Sequence, residues 1–153
     1  MAVKKGTYKV DNGDGTFVDI MLKTTAEQVI LNDGRSVQQV FGKKNKLWTG
    51  AWVLAAGHKA RLSKNIKDTP NGLILRWSAY TNGIIRDYNW CETIVSKDEW
   101  MIGMSRELTM TNSRGIQIVK TIYITDGGMA LIGHDNNDTG ESHAMVLREI
   151  VEF

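Results

Sequence analysis

The sequence predicts an all-β fold, because its turn signals, its short apolar runs and the weakness of its helix signals all favour strands. The chain contains 15 glycines and one proline among 153 residues. Six of the glycines follow Asn or Asp, and such dipeptides supply the positive-φ positions that tight hairpins need. They are Asn12-Gly13, Asp14-Gly15, Asp33-Gly34, Asn71-Gly72, Asn82-Gly83 and Asp126-Gly127. Their placement between short apolar runs is typical of antiparallel strands.

The first predicted element is a hairpin whose turn lies at residues 11–15. The apolar runs at residues 8–10 and 17–21 flank this turn. The same turn is rich in oxygen ligands, but a calcium loop needs a ligand at its third position and glutamate at its twelfth. Gly13 and Leu22 occupy those positions here. We therefore predict a hairpin turn and no metal site.

The N-terminal third has a different character from the rest of the chain. Residues 25–28 and 36–41 could each form a turn of helix, but neither sustains the spacing of a long amphipathic helix. Residues 1–46 lack tryptophan, and the single Cys91 excludes an intrachain disulfide. A segment this short rarely folds alone. We expect it to pack between copies of the chain, ahead of a head domain formed by residues 47–153.

The predicted head domain contains the remaining strands. Residues 47–80 read as three short strands separated by turns, and they hold three of the five tryptophans. Apolar runs predict strands at residues 73–77, 92–95, 100–104, 116–124 and 145–151. Side chains alternate between the two faces of a strand, so Ile118, Lys120, Ile122 and Ile124 share one face. The same alternation predicts that Trp77 lies in the core with Leu73 and Leu75, and that Trp48 and Trp52 share a face.

Charge and hydropathy exclude several classes of protein. The formal net charge is +2, without the concentrated basic face of a nucleic-acid-binding protein. The chain lacks an apolar run near 18 residues and a charged-then-apolar leader. We therefore expect no nucleic-acid partner, no membrane insertion and no signal peptide. Cys91 is predicted to be a buried residue on a strand.

The strongest candidate for ligand binding is the run Arg86, Asp87, Tyr88, Asn89 and Trp90. Saccharide recognition uses such a mixture, since a flat ring stacks on the C–H face of a sugar while Asp, Asn and Arg bond its hydroxyls. The opposing interpretation places Tyr88 and Trp90 on one strand face, where both fill the core.

A second candidate lies in the polar run that begins with His134, Asp135 and Asn136 and continues to Asp138. These side chains could surround a sugar hydroxyl or an ion. Asp and Asn also close turns by bonding their own backbone, and a structural turn is the favoured interpretation.

Catalytic patterns are missing from the sequence. A glycosidase needs two carboxylates about 5–9.5 Å apart, and nothing pairs Asp98, Glu99, Asp135 or Asp138. Nucleophile elbows, zinc-protease motifs and phosphate loops are also absent. We predict a protein that is not an enzyme, with no catalytic residues and no cofactor. A wall-degrading enzyme remains a rival.

The head resembles a known family in a series of motifs. The motif Leu47-Trp48-Thr49-Gly50-Ala51-Trp52 resembles the opening strand of the C-terminal head domain of tail-fibre and baseplate receptor-binding proteins from phages and prophages of Gram-positive bacteria. The later matching motifs, in order, are Leu62-Ser63, Asp68-Thr69-Pro70-Asn71-Gly72, Trp77-Ser78, Tyr88, Ile122-Tyr123-Ile124, Gly133-His134-Asp135 and Val146-Leu147-Arg148. Residues 25–38 are similar to the linking segments before such heads.

This resemblance implies a fold, a role and a set of partners. It implies an antiparallel β-sandwich or jelly-roll-like head on a homotrimer, with residues 1–46 as the trimerisation segment. It also implies non-enzymatic binding of a host cell-wall polysaccharide at the tip of a phage tail, beside other tail or baseplate proteins. The protein would be made in the host cytoplasm and carried in the virion. The alternative is a purely structural tail-tip protein that contacts only other phage proteins.

Overall fold

The computed structural model describes residues 7–11, 13–21, 44–97 and 103–153. The chain divides into two compact units, Met1–Lys43 and Lys44–Phe153. Within the described ranges the regular structure consists of antiparallel strands and short 3-10 turns. The prediction of an all-β fold is therefore confirmed. Among these residues no helix is long and apolar enough to cross a membrane.

The first unit contains the predicted hairpin. Strand β1 (Thr7–Asp11) pairs with β2 (Phe17–Met21) in antiparallel register. Asp14 Oδ1 accepts hydrogen bonds from the Thr16 hydroxyl at 2.5 Å and the Thr16 backbone N–H at 2.9 Å. These bonds hold the pKa of the Asp14 carboxyl below its usual value. The segments at residues 25–28 and 36–41, predicted as helical turns, lie outside the described residues.

The described residues of the second unit form two antiparallel sheets. Its strands are β3 (Lys46–Trp52), β4 (Lys59–Arg61), β5 (Gly72–Thr81), β6 (Ile84–Ile85), β7 (Cys91–Ser96), β8 (Ser105–Thr111), β9 (Gln117–Thr125), β10 (Ala130–Gly133) and β11 (Met145–Glu152). Short 3-10 turns occur at Ile66–Asp68, Asp126–Gly128, Asp135–Asp138 and Gly140–Ala144.

The sheet order brings distant parts of the chain together. One sheet has the order β4-β10-β9-β8, and the other has the order β3-β11-β5. The far side of β5 pairs with β7 along most of its length and with β6 at its end. The register of β11 against β5 shifts between Leu147 and Glu149. This β-bulge places Arg148 out of the regular alternation.

Both sheets contribute to one apolar core. Leu73, Leu75 and Trp77 from β5 belong to the same buried cluster as Ile118 and Ile122 from β9. Trp77 is fully buried, and its indole N–H donates to the Thr93 hydroxyl at 2.9 Å. The prediction that Trp77 lies in the core is confirmed.

The strand β9 has the predicted alternation. Ile118, Lys120, Ile122 and Ile124 are all fully buried, and the residues between them are half-buried. The prediction that these four residues share one face of β9 is confirmed. This face is buried, and Lys120 therefore lies in the core.

Trp48 and Trp52 lie half-buried against the edge of this core. Their ring centroids are 5.2 Å apart, and Trp52 also stacks on His58 at 5.3 Å. Gly50 lies between them, and a Cβ on Gly50 would overlap the Trp48 ring. Glycine is therefore required if both rings are to share this edge.

Among the described residues of the second unit, four of the later predicted runs match observed strands, and three observed strands were not predicted. Residues 73–77, 92–95, 116–124 and 145–151 fall on β5, β7, β9 and β11. The predicted strand at residues 100–104 lies mostly outside the described residues, and Gly103 and Met104 precede β8. Strands β6, β8 and β10 escaped prediction. Strand β6 is two residues long, β10 is four residues long, and β8 shows only Leu108 and Met110 as a buried alternation.

Candidate functional site

A concave surface of about 460 Å³ at the end of β5 is the first candidate site, and we call it the polar groove. Four segments form its walls: residues 79–82, residues 88–89, the turn between β8 and β9, and the 3-10 turn that precedes β11. Its volume lies within the range of roughly 300–1,000 Å³ that is usual for ligand sites. Aromatic, amide, hydroxyl and charged side chains all line it.

Two aromatic side chains of the polar groove are held by contacts, and a third is exposed. The Tyr80 ring meets the His143 ring edge-on, with centroids 4.9 Å apart. His143 Nδ1 lies 2.6 Å from Asp138 Oδ1. Ser142 beside it donates to the Val119 carbonyl at 2.6 Å, which anchors this wall to β9. Tyr88, on the opposite segment, is 52% exposed, so its ring is available to a ligand.

Polar contacts fix the other walls of the groove. Asn89 Nδ2 donates to the Ser113 hydroxyl at 2.8 Å and joins residues 88–89 to the β8–β9 turn. Within that turn Asn112 Oδ1 accepts from the backbone N–H groups of Arg114 and Ile116 at 2.9 and 3.0 Å. The groove is therefore bounded by turns with internal support, as a preorganised site requires.

A second group of side chains surrounds Arg148, in the bulge of β11. Arg148 Nη1 donates to Asp87 Oδ1 at 2.7 Å and to the Ser78 hydroxyl at 3.1 Å. The guanidinium carbon lies 5.2 Å from the centroid of the Trp90 ring. Asp87 is 81% exposed, so this ion pair orients groups more than it stabilises the fold.

Beside Arg148 lies a second concavity, of about 530 Å³, which we call the sheet concavity. Arg76, Trp90, Cys91, Glu92 and Glu149 line it. Arg76 pairs with Glu92 at 2.7 Å and with Glu149 at 3.2 Å. Hydrogen bonds from Lys46 and Arg76 hold the pKa of the Glu149 carboxyl below its usual value. Hydrogen bonds to the carboxylates of Glu92 and Glu149 raise the pKa of Arg76.

The structure corrects the interpretation of Tyr88 and Trp90 as core residues on one strand face. Both are exposed, and they lie in the connection between β6 and β7 rather than on a strand. Asn89 between them has a φ of +54°, so the regular alternation of a strand is broken there. Tyr88 lines the polar groove, whereas Trp90 lines the sheet concavity.

Arg86 supports this segment through its backbone. Its backbone N–H donates to the Ala79 carbonyl at 2.9 Å, and the Ala79 N–H donates to the Tyr88 carbonyl at 3.2 Å. These two bonds tie the connection to the end of β5. Of the five predicted residues, Arg86 therefore positions the others, while Asp87, Tyr88, Asn89 and Trp90 face the surface.

The second predicted run serves mainly as a turn. His134 Nδ1 accepts from the Asn136 backbone N–H at 3.2 Å, and Asp135 and Asn136 are exposed. None of these three residues lines the polar groove or the sheet concavity. Among the described residues no group of three or more His, Cys, Asp or Glu is placed to hold a metal ion.

Asn137, in the middle of that run, is fully buried. Its Nδ2 donates to the carbonyls of Leu54 and Thr121, both at 2.7 Å, and its Oδ1 accepts from the Thr121 N–H at 2.7 Å. Lys120 donates from Nζ to the carbonyls of Val53 and Asn137 at 2.9 and 3.1 Å. These contacts bind the turn to β9, and they explain why a polar residue is buried at position 137.

Cys91 lies on a strand, as predicted, but is only half-buried. Its thiol approaches the Met110 sulfur at 3.5 Å. Burial raises the pKa of this thiol above its usual value. A protonated thiol is a poor nucleophile, so the local environment does not activate Cys91.

Tyr80, Arg114, Glu141 and His143 were not identified from the sequence as binding candidates. They belong to segments that are 27 to 34 residues apart, and only the pairing of the strands brings them to one groove. Arg148 appeared only within a family motif. The β-bulge that aims it at Asp87 has no sequence signature.

Comparison with known proteins adds no family to this description: no family model matches the chain, and neither curated proteins nor solved structures yield a similar protein. The resemblance to phage head domains therefore depends on the motifs alone. The function must be argued from the two concavities and their chemistry.

Proposed function

We propose that this chain is a phage tail-fibre tip or baseplate protein whose head binds a saccharide of the host cell surface without catalysing a reaction. The observation that carries the proposal is the polar groove, which combines aromatic rings, amides that are held by hydrogen bonds, and charged groups. The family resemblance supports the phage setting. In the same proposal the two sheets form a sandwich of the jelly-roll type, and the first unit trimerises the chain.

The groove suits a sugar because it offers aromatic rings to the C–H groups of a pyranose and polar side chains to its hydroxyls. An exposed ring such as Tyr88 offers a flat apolar face to C–H groups and a hydroxyl to a polar partner. Asn89, Arg114 and Glu141 supply donors and acceptors around it. A site of this kind is weak alone, and linked copies on one particle raise the apparent affinity by about 10²–10⁴-fold.

Replacing the exposed aromatic ring tests this site. Tyr88→Ala is expected to weaken binding to purified Gram-positive cell walls by about tenfold, since a lost contact of about 1.4 kcal/mol corresponds to one decade. Tyr88→Phe keeps the ring and should retain most of the binding. Met129→Ala alters an exposed residue outside both concavities and serves as the control.

Pull-down with walls from a panel of Gram-positive species measures this binding, and the same incubation is assayed for released reducing sugar. Wild-type binding with no sugar release supports the proposal. Equal binding by the wild type and Tyr88→Ala would mean that the polar groove is not the saccharide-binding site. Release of reducing sugar would restore the wall-degrading enzyme.

One observation favours the alternative of a structural tail-tip protein. Seven large hydrophobic residues of the described chain are notably exposed, and five of them fall within residues 84–94. The family's heads usually have a polar turn where Ile84 and Ile85 stand here. Apolar surface concentrated in this way is common at protein contacts. Failure of the wild-type protein to bind any wall preparation would favour this alternative.

The native mass tests the proposed trimer. We expect light scattering to give three times the 17.1 kDa chain mass. After removal of residues 1–43, we expect the mass of a single truncated chain. The truncation stops there because Asn45 belongs to the head, where its carbonyl accepts from the Glu152 N–H at 2.9 Å. A full-length monomer would contradict the proposal.

A further inference from the structure

We propose that the ligand is an uncharged polysaccharide chain that crosses residues 88–90, from the polar groove into the sheet concavity, and uses both concavities. This inference deepens the proposed function and rests on it. It names a class of ligand, an extended neutral polymer, and it assigns the sheet concavity as a second part of one binding track. We call residues 88–90 the ridge.

The ridge joins the two concavities at close range. Tyr88 and Asn89 line the polar groove, while Trp90 and its neighbour Cys91 line the sheet concavity. Consecutive Cα atoms are about 3.8 Å apart, so Tyr88 and Trp90 lie within the reach of adjacent units of one chain. A ligand that stacks on both rings must therefore be longer than one sugar.

The ridge is held from both sides, although its rings are exposed. Asn89 bonds Ser113 on the groove side, and Arg148 bonds Asp87 on the other side. Arg148 also lies over the Trp90 ring, and Trp90 still remains 47% exposed. A segment that is already held in place loses little conformational freedom when a ligand stacks on its rings, which favours binding.

The charges of the polar groove balance. Arg114 and Glu141 supply one positive and one negative charge to its lining, and His143 pairs with Asp138. A groove built for phosphate or carboxylate groups would carry an excess of cationic donors. The lining residues of this groove show no such excess, and its amides and hydroxyls suit sugar hydroxyl groups.

The lining of the sheet concavity carries one cation, Arg76, and two carboxylates, and Lys46 outside the lining supplies a second cation. Glu92 and Glu149 are both paired with Arg76, and Glu149 also pairs with Lys46 at 2.5 Å. Each charged group is therefore already engaged with an opposite charge. Such groups retain lone pairs and N–H bonds for hydroxyls but give little net attraction to an ionic ligand. Both concavities thus select the same class of ligand.

The test measures how affinity depends on the length of the ligand. Neutral polysaccharide is extracted from cell walls that bind the full-length protein. It is then cut into fragments of known length, and calorimetry gives the Kd of the protein for each fragment. We expect the wild-type affinity to rise about tenfold once fragments are long enough to reach Trp90. In Trp90→Ala the affinity should not increase with fragment length, and Trp90→Phe should recover part of the increase.

Two comparisons make the result decisive. Tyr88→Ala should weaken every fragment while keeping the gain with length, and Ile94→Ala, an exposed residue on β7, should match the wild type. An unchanged gain in Trp90→Ala, or an equal loss at every length, would overturn the track. Binding only to anionic polymers, with a steep dependence on salt, would overturn the neutral class.

Failure of the proposed function gives a different result. In that case the wild-type protein binds no wall fraction of any length. If the ridge instead contacts a second copy of the chain, Trp90→Ala would change the native mass in light scattering and leave the gain with length intact. Both outcomes contradict the inference, and they are distinguishable from each other.

Discussion

The free energy of unfolding is expected to rise between pH 7 and pH 8.5 because Lys120 is buried in the core. Burial lowers the pKa of this lysine to about 7, and nearby Asp138 offsets only part of that effect. In the unfolded chain the lysine regains its usual pKa near 10.5. Across the window the unfolded state therefore binds a proton that the folded state does not. Stability rises with pH under that condition, here by roughly 1.5–2 kcal/mol.

The groups around Lys120 explain why the folded state favours its neutral form. Nζ has two carbonyl acceptors, from Val53 and Asn137, and lies 5.8 Å from the Trp77 ring centroid. A neutral amine satisfies both carbonyls with its two N–H bonds. The protonated amine carries a charge that burial penalises, and Asp138 offsets only part of that penalty.

Urea denaturation followed by tryptophan fluorescence at pH 7.0, 7.75 and 8.5 measures the effect. The window ends at pH 8.5 because the raised pKa of Cys91 acts in the opposite direction at higher pH. Lys120→Met should flatten the dependence, and at pH 8.5 it should lose about 1–3 kcal/mol because two buried carbonyls lose their donor. A wild-type profile without slope, or a slope that survives in Lys120→Met, would contradict the assignment.

The local parts of this fold could be predicted from the sequence. Asx-Gly dipeptides marked the first hairpin, and the alternation of Ile118, Lys120, Ile122 and Ile124 marked the buried face of β9. These signals depend on residues that are close in sequence. They require only the period of a strand and the φ values that a turn demands.

The pairing of the strands could not be predicted in this way. Strand β11 lies between β3 and β5, although it is the last strand of the chain. The side chains of the polar groove therefore come from four separate segments, and Tyr88 alone showed no sign of a groove. Because Asn89 has a positive φ, Tyr88 and Trp90 line different concavities. The alternation of a regular strand would place both side chains on the same face.

The interpretation of the His134 run as a turn gains its physical reason from the structure. The buried Asn137 amide satisfies three backbone groups, on Leu54 and Thr121. A polar run can thus be dense because it replaces backbone hydrogen bonds rather than because it binds a ligand. Gly133, which precedes this run, belongs to the same arrangement.

Gly133→Ala is expected to destabilise the head by about 3 kcal/mol or more, at the upper end of the range for overpacked sites. A Cβ on Gly133 would fall on the Leu54 carbonyl oxygen and 2.9 Å from Asn137 Nδ2. The obstacle is backbone, so a change of rotamer cannot relieve it. Leu54 is itself fully buried with a φ of +63°. Its carbonyl also accepts from Asn137, so three elements would have to move together.

The matched control is Gly57→Ala, because a Cβ there meets nothing within 4 Å. It should change the free energy of unfolding by no more than about 0.5 kcal/mol. Urea midpoints of the two variants and the wild type give the comparison, and soluble yield reports whether Gly133→Ala folds at all. A Gly133→Ala midpoint equal to that of Gly57→Ala would mean that the segment around Leu54 shifts easily. The Asn137 contacts would then not hold the Leu54 backbone against Gly133. The glycine of the Gly133-His134-Asp135 motif would need another explanation than close approach of backbone.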